Sequence, residues 1–252
     1  MNLFDLKGKT AIVTGGSRGL GKGITEGLAM AGAKVVIMAS SDKVFDVAEE
    51  FCKKGYDVSA VQHDLSKTEQ TETAFNKAVD MLGGKLDIIV NNAGVQRRNK
   101  SEVFTMEDWK TVTQVNLDSV FVLCQLAGQH MLKNGKGKII NIASLLSFFG
   151  GFTVPAYVAA KGGVTQLTKA LSNEWASRGI NINAIAPGYM ATEMNTALIE
   201  DEGRSKEILS RIPAGRWGTP EDIMGTAIFL ASDASDYLNG AIIPVDGGYL
   251  GR

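Results

Sequence analysis

Residues 10–21 read TAIVTGGSRGLG: a short β-branched run, a glycine-rich turn and the start of an amphipathic stretch. The spacing TGxxxGxG differs from the plain GxGxxG form, but Gly15, Gly19 and Gly21 still let the backbone turn sharply and approach a ligand closely. A helix that begins here presents unpaired N–H groups and the positive end of its dipole, which favour a phosphate. The stretch therefore predicts a strand–turn–helix unit that binds a dinucleotide pyrophosphate.

The rest of the chain repeats this alternation of short apolar runs and longer amphipathic stretches. Strands are predicted at Thr10–Thr14, Lys34–Met38, Asp57–Val61, Leu86–Val90, Lys138–Ile142, Asn181–Ile185 and Ala241–Val245. Helices are predicted at Leu20–Ala31, Lys43–Lys53, Glu69–Leu82, Met106–Lys133, Ala156–Arg178 and Pro220–Ala231. Such alternation predicts an α/β fold, a doubly wound, Rossmann-type, mostly parallel sheet of about seven strands with helices on both faces. Because no linker or repeat interrupts it, residues 1–252 are expected to form a single domain.

The amino-acid composition argues against several classes of function. The chain has 252 residues, with 26 basic and 27 acidic side chains, so no positive excess favours nucleic acid as a partner. Its two Cys and two His show no CxxC or HExxH spacing, which predicts no disulfide framework and no metal site. Neither a signal-peptide core nor an uninterrupted apolar run of membrane-span length is present, so a cytoplasmic protein with no membrane partner is expected.

Residues 187–220 depart from the regular alternation of predicted strands and helices. This stretch is partly helical in pattern, is longer than an ordinary connection, and follows the end of a predicted strand. Ligands bind at the carboxyl ends of strands in open α/β sheets, so the segment is either a substrate-covering element or an ordinary surface excursion.

The pattern YVAAK at residues 157–161 is the main indication of catalysis. Tyr157 and Lys161 lie one helical turn apart, so their side chains share a face and can converge. A nearby ammonium favours the phenolate, which would let Tyr157 exchange a proton with an alcohol or carbonyl. Ser144 follows the fifth predicted strand, where its hydroxyl could bond to the same substrate oxygen.

Polar residues also follow the third and fourth predicted strands. The run NNAG at residues 91–94 could line a ribose or form an Asn-rich turn. Asp64 could accept a hydrogen bond from an adenine amino group or cap the next segment. Both pairs of interpretations stay open at this point.

Together, TGGSRGLG, NNAG, Asn116, Ser144 and YVAAK resemble the short-chain dehydrogenase/reductase family. The resemblance covers essentially the whole chain, including PG at 187–188 and VDGG at 245–248. It implies a catalytic tetrad of Asn116, Ser144, Tyr157 and Lys161. In that analogy Tyr157 is the general acid/base, Ser144 orients the substrate oxygen, Lys161 lowers the phenol pKa and holds the nicotinamide ribose, and Asn116 holds a water that connects Lys161 to solvent.

The resemblance also implies a bound NAD or NADP and hydride transfer without a metal. Contacts with the cofactor are expected from Gly15, Ser17, Arg18, Gly19, Leu20, Gly21, Ser40, Asp64, Leu65, Asn91, Ala93, Gly94, Tyr157, Lys161, Pro187, Gly188 and Thr192. The choice between the two cofactors stays open. The second predicted strand ends in MASS at residues 38–41, with no acid for a ribose 2′-hydroxyl and no base for a 2′-phosphate. Arg18 could serve NADP or pack outward.

Within the family, the latter half is most similar to the 2-deoxy-D-gluconate 3-dehydrogenases and 2-dehydro-3-deoxy-D-gluconate 5-dehydrogenases, through stretches such as GKIINIASLLSFFGG and RSKEILSRIPAGRWG. That similarity implies a six-carbon keto-deoxy sugar acid, whose carboxylate requires a cationic partner. Arg97 and Arg98 are candidates, with Arg204 as another, beside Ser144 and Tyr157 at the reacting oxygen. Plain surface solubility is the alternative role for these arginines.

Other functions use the same residues. A gluconate 5-dehydrogenase or a 3-oxoacyl-thioester reductase would share the tetrad, although no basic docking patch for an acidic carrier protein stands out. A non-catalytic cofactor sensor is of another class, and the complete set of Ser144, Tyr157 and Lys161 argues against it. The family resemblance also predicts a homotetramer, assembled through the long predicted helices and the C-terminal segment.

Overall fold

The computed structural model describes residues 3–252 and contains one seven-stranded sheet. Its strands are β1 Thr10–Thr14, β2 Lys34–Ala39, β3 Val58–Gln62, β4 Ile88–Asn91, β5 Gly137–Ile142, β6 Ile180–Pro187 and β7 Ile242–Val245. Their order is β3-β2-β1-β4-β5-β6-β7, and each neighbouring pair is parallel. The predicted α/β, Rossmann-type fold is confirmed.

Helices cover both faces of this sheet. They are α1 Gly19–Met30, α2 Lys43–Lys53, α3 Thr71–Met81, α4 Met106–Thr113, α5 Ser119–Asn134, α6 Pro155–Trp175, α7 Thr196–Glu200, α8 Glu202–Ser210 and α9 Pro220–Ala231. Successive residues of β1 point to opposite sides, with Ala11 and Val13 in the core beneath α1 and α9 and Ile12 in the core beneath α3 and α5. Burial on both faces explains why β1 is apolar along its length.

One predicted helix, Met106–Lys133, is wrong as a single element. A π-helical turn at Gln114–Asp118 separates α4 from α5. Asn116 lies in this turn, where its side chain accepts a hydrogen bond from the Val95 amide and donates one to the Val95 carbonyl, both at 2.8 Å. A long-range contact to the segment after β4 therefore accompanies the break, and no Gly or Pro marks it in the sequence.

The point where the strand order reverses determines where a ligand can bind. From β1 the chain moves to β2 and β3 on one side, and then returns to place β4 on the other side of β1. The connections after β1 and β4 therefore diverge and leave a crevice at the carboxyl edge of the sheet. The glycine-rich turn and the NNAG run border this crevice.

A buried lysine stabilises the opposite, amino edge of the sheet. Lys138 at the start of β5 is only 4% exposed. Its Nζ donates to Asn181 Oδ1 at 3.0 Å, Ser235 Oγ at 3.2 Å and Asp236 Oδ1 at 2.7 Å. Burial lowers the pKa of Lys138, and the Asp236 carboxylate opposes that shift.

Replacing Asp236 by Ala should leave this buried ammonium without its counter-charge. We expect Asp236→Ala to lower the free energy of unfolding by about 1–3 kcal/mol, measured by urea denaturation at neutral pH. Glu49→Ala is the matched control, because the Glu49–Lys53 pair is as short, at 2.6 Å, but lies on the exposed surface. Exposed ion pairs contribute little, so equal effects of the two variants would contradict the role given to Asp236.

Candidate active site

The glycine-rich turn after β1 is shaped by contacts that leave no room for side chains. Gly15 and Gly19 have positive φ angles of 64° and 49°. A Cβ on Gly15 would lie 2.9 Å from Ala93 Cα, and one on Gly21 would lie 2.1 Å from the carbonyl oxygen of Gly15. The turn is therefore drawn tightly against α1 and the NNAG run, as a close backbone approach to a pyrophosphate requires.

The amino terminus of α1 is open toward the crevice. Arg18 occupies the N-cap position with an extended backbone, and its side chain makes no capping hydrogen bond. The first-turn N–H groups are thus available to an anion, and the helix dipole adds to their attraction. Across the crevice, Thr192 lies 3.6 Å from the position of a Cβ on Gly19. These features fit a dinucleotide pyrophosphate.

Two residues that the sequence analysis did not assign to the site hold the turn in place. Thr14 Oγ1 accepts hydrogen bonds from the backbone N–H groups of Asn92 and Ala93, at 3.0 and 3.1 Å. The Asn92 side-chain amide donates to the carbonyls of Thr14 and Gly15, at 2.9 and 3.2 Å. Both residues stand inside the quoted motifs, so the motifs contained the information, but only the folded chain shows that they bind each other.

Several expected cofactor residues border the same crevice. Ser17, Leu20, Ala93 and Gly94 are partly exposed there, and Gly94 faces Asn116, whose Oδ1 lies 3.3 Å from a Cβ built on the glycine. Pro187 ends β6, and the Gly188 amide donates to the carbonyl of Val245 at 2.9 Å. Ser40 is exposed just after β2.

Other expected cofactor residues turn their side chains elsewhere. Asn91 is 1% exposed and bonds to Asn141 and Cys124 in the core, and Leu65 packs in the core cluster, so only their backbone can face a cofactor. Asp64 caps its own loop through an Oδ1 bond from the Ser66 amide at 3.0 Å, which lowers the pKa of the Asp64 carboxyl. Arg18 forms an exposed ion pair with Glu193 at 2.9 Å.

Lys161 is buried at the carboxyl end of β5. Only 3% of it is exposed, and its Nζ donates to the carbonyl oxygen of Ile142 at 2.6 Å. Burial lowers the pKa of Lys161 to about 8. The ammonium lies 5.7 Å from the centre of the Tyr157 ring, one turn earlier on α6. The predicted convergence of these two side chains is present.

Burial and two neighbouring side chains act on the pKa of Tyr157. Burial raises the pKa of the Tyr157 phenol, while the neighbouring Ser144 hydroxyl and, to a smaller extent, the charge of Arg98 lower it. Arg98 is thus a second cation near the phenol, in addition to the Lys161 ammonium that faces its ring. The net direction keeps the phenol protonated at neutral pH.

Ser144 and Asn116 complete the predicted tetrad, each fixed by the backbone. Ser144 caps a short 3-10 turn, with its Oγ accepting a bond from the Leu146 amide at 3.1 Å. The same hydroxyl faces the Tyr157 phenol, and its side-chain hydrogen bond lowers the pKa of Tyr157. The Asn116 side chain is engaged by Val95, so it ties the π-helical turn to the segment after β4.

The three candidate arginines are not equivalent. Arg97 pairs with Asp108 at 3.4 Å. Arg204 pairs with Glu207 at 2.7 Å on α8. Within residues 3–252, Arg98 has no ion pair; burial and, to a smaller extent, the charge of Arg204 lower the pKa of Arg98, while the phenols of Tyr189 and Tyr157 raise it. Arg98 and Arg204 thus place positive charge on the same side as the phenol of Tyr157.

The 187–220 segment packs onto the loop after β5 and onto the end of the chain. Tyr249 is 5% exposed, and its ring lies 5.7 Å from Phe149 and 5.3 Å from Tyr189. Tyr189 in turn meets the edge of Trp217 at 5.6 Å. Arg216 bonds through both terminal nitrogens to Asp222 near the start of α9.

Three comparisons identify the family. A family model described as enoyl-(acyl carrier protein) reductase matches residues 15–250. The chain is 51% identical, over 99% of its length and 97% of the relative's, to a 2-dehydro-3-deoxy-D-gluconate 5-dehydrogenase of Bacillus subtilis, and 48% identical to one of Escherichia coli, over 100% and 99%. A crystal structure of a gluconate 5-dehydrogenase from Burkholderia cenocepacia, in complex with NADP and tartrate, superposes with a TM-score of 0.95 at 41% identity and covers 100% of this chain and 98% of that one.

The chain belongs to the short-chain dehydrogenase/reductase family. It is accordingly an NAD(P)-dependent oxidoreductase. Residues 3–252 contain no cluster of three or more His, Cys, Asp or Glu side chains arranged to hold a metal ion. In the same range, no helix is both long and apolar enough to span a membrane.

Gly21 offers a direct test of the cofactor cradle. We expect Gly21→Ala to weaken NADPH binding at least about tenfold, because the new methyl group would displace the Gly15 carbonyl and open the turn that receives the pyrophosphate. Binding is measured by nucleotide fluorescence.

Gly225→Ala on α9 is the control, since a Cβ there meets nothing within 4 Å. This variant should bind the nucleotide like the unmodified protein. Unchanged binding in Gly21→Ala would contradict the cradle.

Proposed function

We propose that this protein interconverts a secondary alcohol and a ketone on a six-carbon keto-deoxy sugar acid, as a 2-dehydro-3-deoxy-D-gluconate 5-dehydrogenase or 2-deoxy-D-gluconate 3-dehydrogenase does. The observation that supports this most is the position of Tyr157, Ser144 and Lys161, which lie at the same carboxyl edge of the sheet as the glycine cradle. The identities with enzymes named for this substrate support the choice of sugar acid.

Gly15, Gly19, Gly21 and the amino terminus of α1 would hold NAD or NADP, which would supply or accept the hydride when bound. Tyr157 gives its phenolic proton to the ketone oxygen in reduction and takes a proton from the alcohol in oxidation. Ser144, whose hydroxyl lies beside the Tyr157 phenol, donates its proton to the same substrate oxygen when substrate is bound and so fixes the position of that oxygen. Because the pKa of Tyr157 is raised, the phenol carries its proton at neutral pH and is ready for the reductive direction.

Lys161 places a positive charge and exchangeable protons beside Tyr157 and Ser144. One of its three N–H donors is engaged by the Ile142 carbonyl, which leaves the others for a ribose hydroxyl. With its pKa lowered to about 8, the ammonium can also exchange a proton under mild conditions. Asn116 supports the site by fixing the segment that follows β4.

Arg98 is proposed as the partner of the substrate carboxylate, with Arg204 beside it. A guanidinium without an ion pair, next to a second guanidinium and the reacting phenol, suits a carboxylate. Because Arg204 already forms an ion pair with Glu207, we assign it a secondary role in binding the carboxylate. Arg97, proposed with Arg98 from the sequence, is paired with Asp108 and is less suited.

Further features of the assembly are proposed with the activity. Residues 187–220 are taken to cover the bound substrate, supported by the contact of Thr192 with the glycine turn and by the aromatic packing around Tyr249. The chain is proposed to act as a single-domain subunit of a cytoplasmic homotetramer. Long helices such as α5 and α6, with Phe121 exposed on α5, are compatible with subunit contacts.

An absorbance assay tests the activity and the cofactor together. Purified protein is given NAD+ or NADP+ with 2-dehydro-3-deoxy-gluconate and with gluconate, and NADH or NADPH with 5-keto-gluconate and with a 3-oxoacyl thioester. We expect turnover of the keto-deoxy sugar acid, reduced at least about a thousandfold in Tyr157→Phe because that variant lacks the transferable proton. Turnover confined to gluconate or to the thioester would overturn the substrate, and nucleotide binding without any turnover would support a sensor.

The neighbouring residues Arg97 and Arg98 allow a matched test of carboxylate binding. Arg98→Gln should raise KM for the sugar acid about ten- to hundredfold, because it removes a charge-assisted contact, while Arg97→Gln should change it little. The measurement is steady-state kinetics at saturating nucleotide. Equal effects of the two variants, or none in Arg98→Gln, would remove Arg98 from the substrate site.

A further inference from the structure

A chain of buried polar side chains crosses the core behind the active site. Asn91 on β4 and Asn141 on β5 are register partners, and both are almost fully buried. Asn91 Nδ2 donates to Asn141 Oδ1 at 2.9 Å, and Asn141 Nδ2 donates to Thr168 Oγ1 on α6, also at 2.9 Å. Cys124 on α5 lies beside this chain, 3.3 Å from Asn91 Nδ2.

Thr168, at the α6 end of this chain, determines which atom donates and which accepts in each hydrogen bond. Thr168 has a single hydroxyl proton, which it donates to the Val164 carbonyl at 2.8 Å. It can therefore only accept from Asn141, which must present its amide nitrogen to α6 and its oxygen to Asn91. Apart from the Cys124 thiol and the unpaired Oδ1 of Asn91, the surrounding cluster is apolar, so a broken bond leaves a buried polar group with few other partners.

This chain connects α6 to the strand that carries the rest of the site. Thr168 lies two turns after Lys161, on the same face of α6. On β5, Asn141 binds Thr168, and the next residue, Ile142, offers its carbonyl to Lys161 Nζ. A rotation of α6 about its axis would break both contacts together and move the Tyr157 hydroxyl away from Ser144.

We propose that Thr168 is a positioning residue, whose hydrogen bond from Asn141 sets the rotation of α6 that places Lys161 and Tyr157. The proposal rests on the proposed function for its catalytic consequence. Loss of the bond should lower kcat more than it weakens nucleotide binding, because the glycine turn that forms the pyrophosphate cradle lies between β1 and α1 and is held by Asn92 rather than by a residue of α6.

The test compares variants of nearly equal shape. Thr168→Val removes the acceptor and leaves Asn141 Nδ2 unpaired, and we expect kcat to fall about ten- to hundredfold, as small misplacements of catalytic groups do. Thr168→Ser keeps the hydroxyl and should restore kcat. Thr165→Val is the control. Within the described residues, the Thr165 hydroxyl on the same helix bonds only to the Lys161 carbonyl. That carbonyl also accepts a hydrogen bond from Ser147 Oγ, so the variant leaves it paired.

Two readouts separate positioning from simple loss of structure. The pH dependence of kcat and the NMR titration of the Lys161 ammonium should both shift in Thr168→Val and return in Thr168→Ser, with thermal unfolding recorded for each. Unchanged Lys161 titration and pH profile in a folded Thr168→Val protein would overturn the proposal. If the unmodified protein turned over no sugar acid, the proposed function would fail, and the Lys161 titration alone would still decide the positioning role.

Discussion

A lysine ammonium buried against a backbone carbonyl is the interaction on which the site depends. Removing a cation from water is costly, and the single bond from Lys161 to Ile142 compensates only in part, which is why the pKa of this lysine is lowered. The packing of α6 on β5 offsets the remaining free-energy cost of burying this ammonium. The same packing brings Tyr157 to Ser144, so proton transfer and charge placement share one structural origin.

The parallel sheet explains why the remaining parts meet at this place. All strands end at one edge, and the reversal of strand order beside β1 opens a crevice there. The glycine turn approaches it from β1, the Asn92 amide joins that turn to β4, and Ser144 follows β5. The residues proposed to bind phosphate and to transfer protons thus lie on connections that a rigid sheet holds at one edge.

Much of this arrangement follows from the sequence. The fold, the glycine cradle and the convergence of Tyr157 with Lys161 could be predicted because each rests on local periodicity or on short motif spacing. The break at Asn116 could not, since it accompanies a contact with Val95 across the site rather than a local helix breaker. For the same reason, the different pairing of Arg97 and Arg98, two neighbours of one type, is visible only in three dimensions.

The most direct test of the account is the titration of Lys161 in the folded protein. Isotope-labelled lysine, assigned by comparison with Lys161→Arg, would show the ammonium in NMR spectra from pH 6 to 11. Because burial lowers the pKa of Lys161 to about 8, the midpoint should lie near that pH, well below the ordinary lysine value. A midpoint close to the ordinary lysine value would show that the ammonium is solvated and would contradict the arrangement described for α6 and β5.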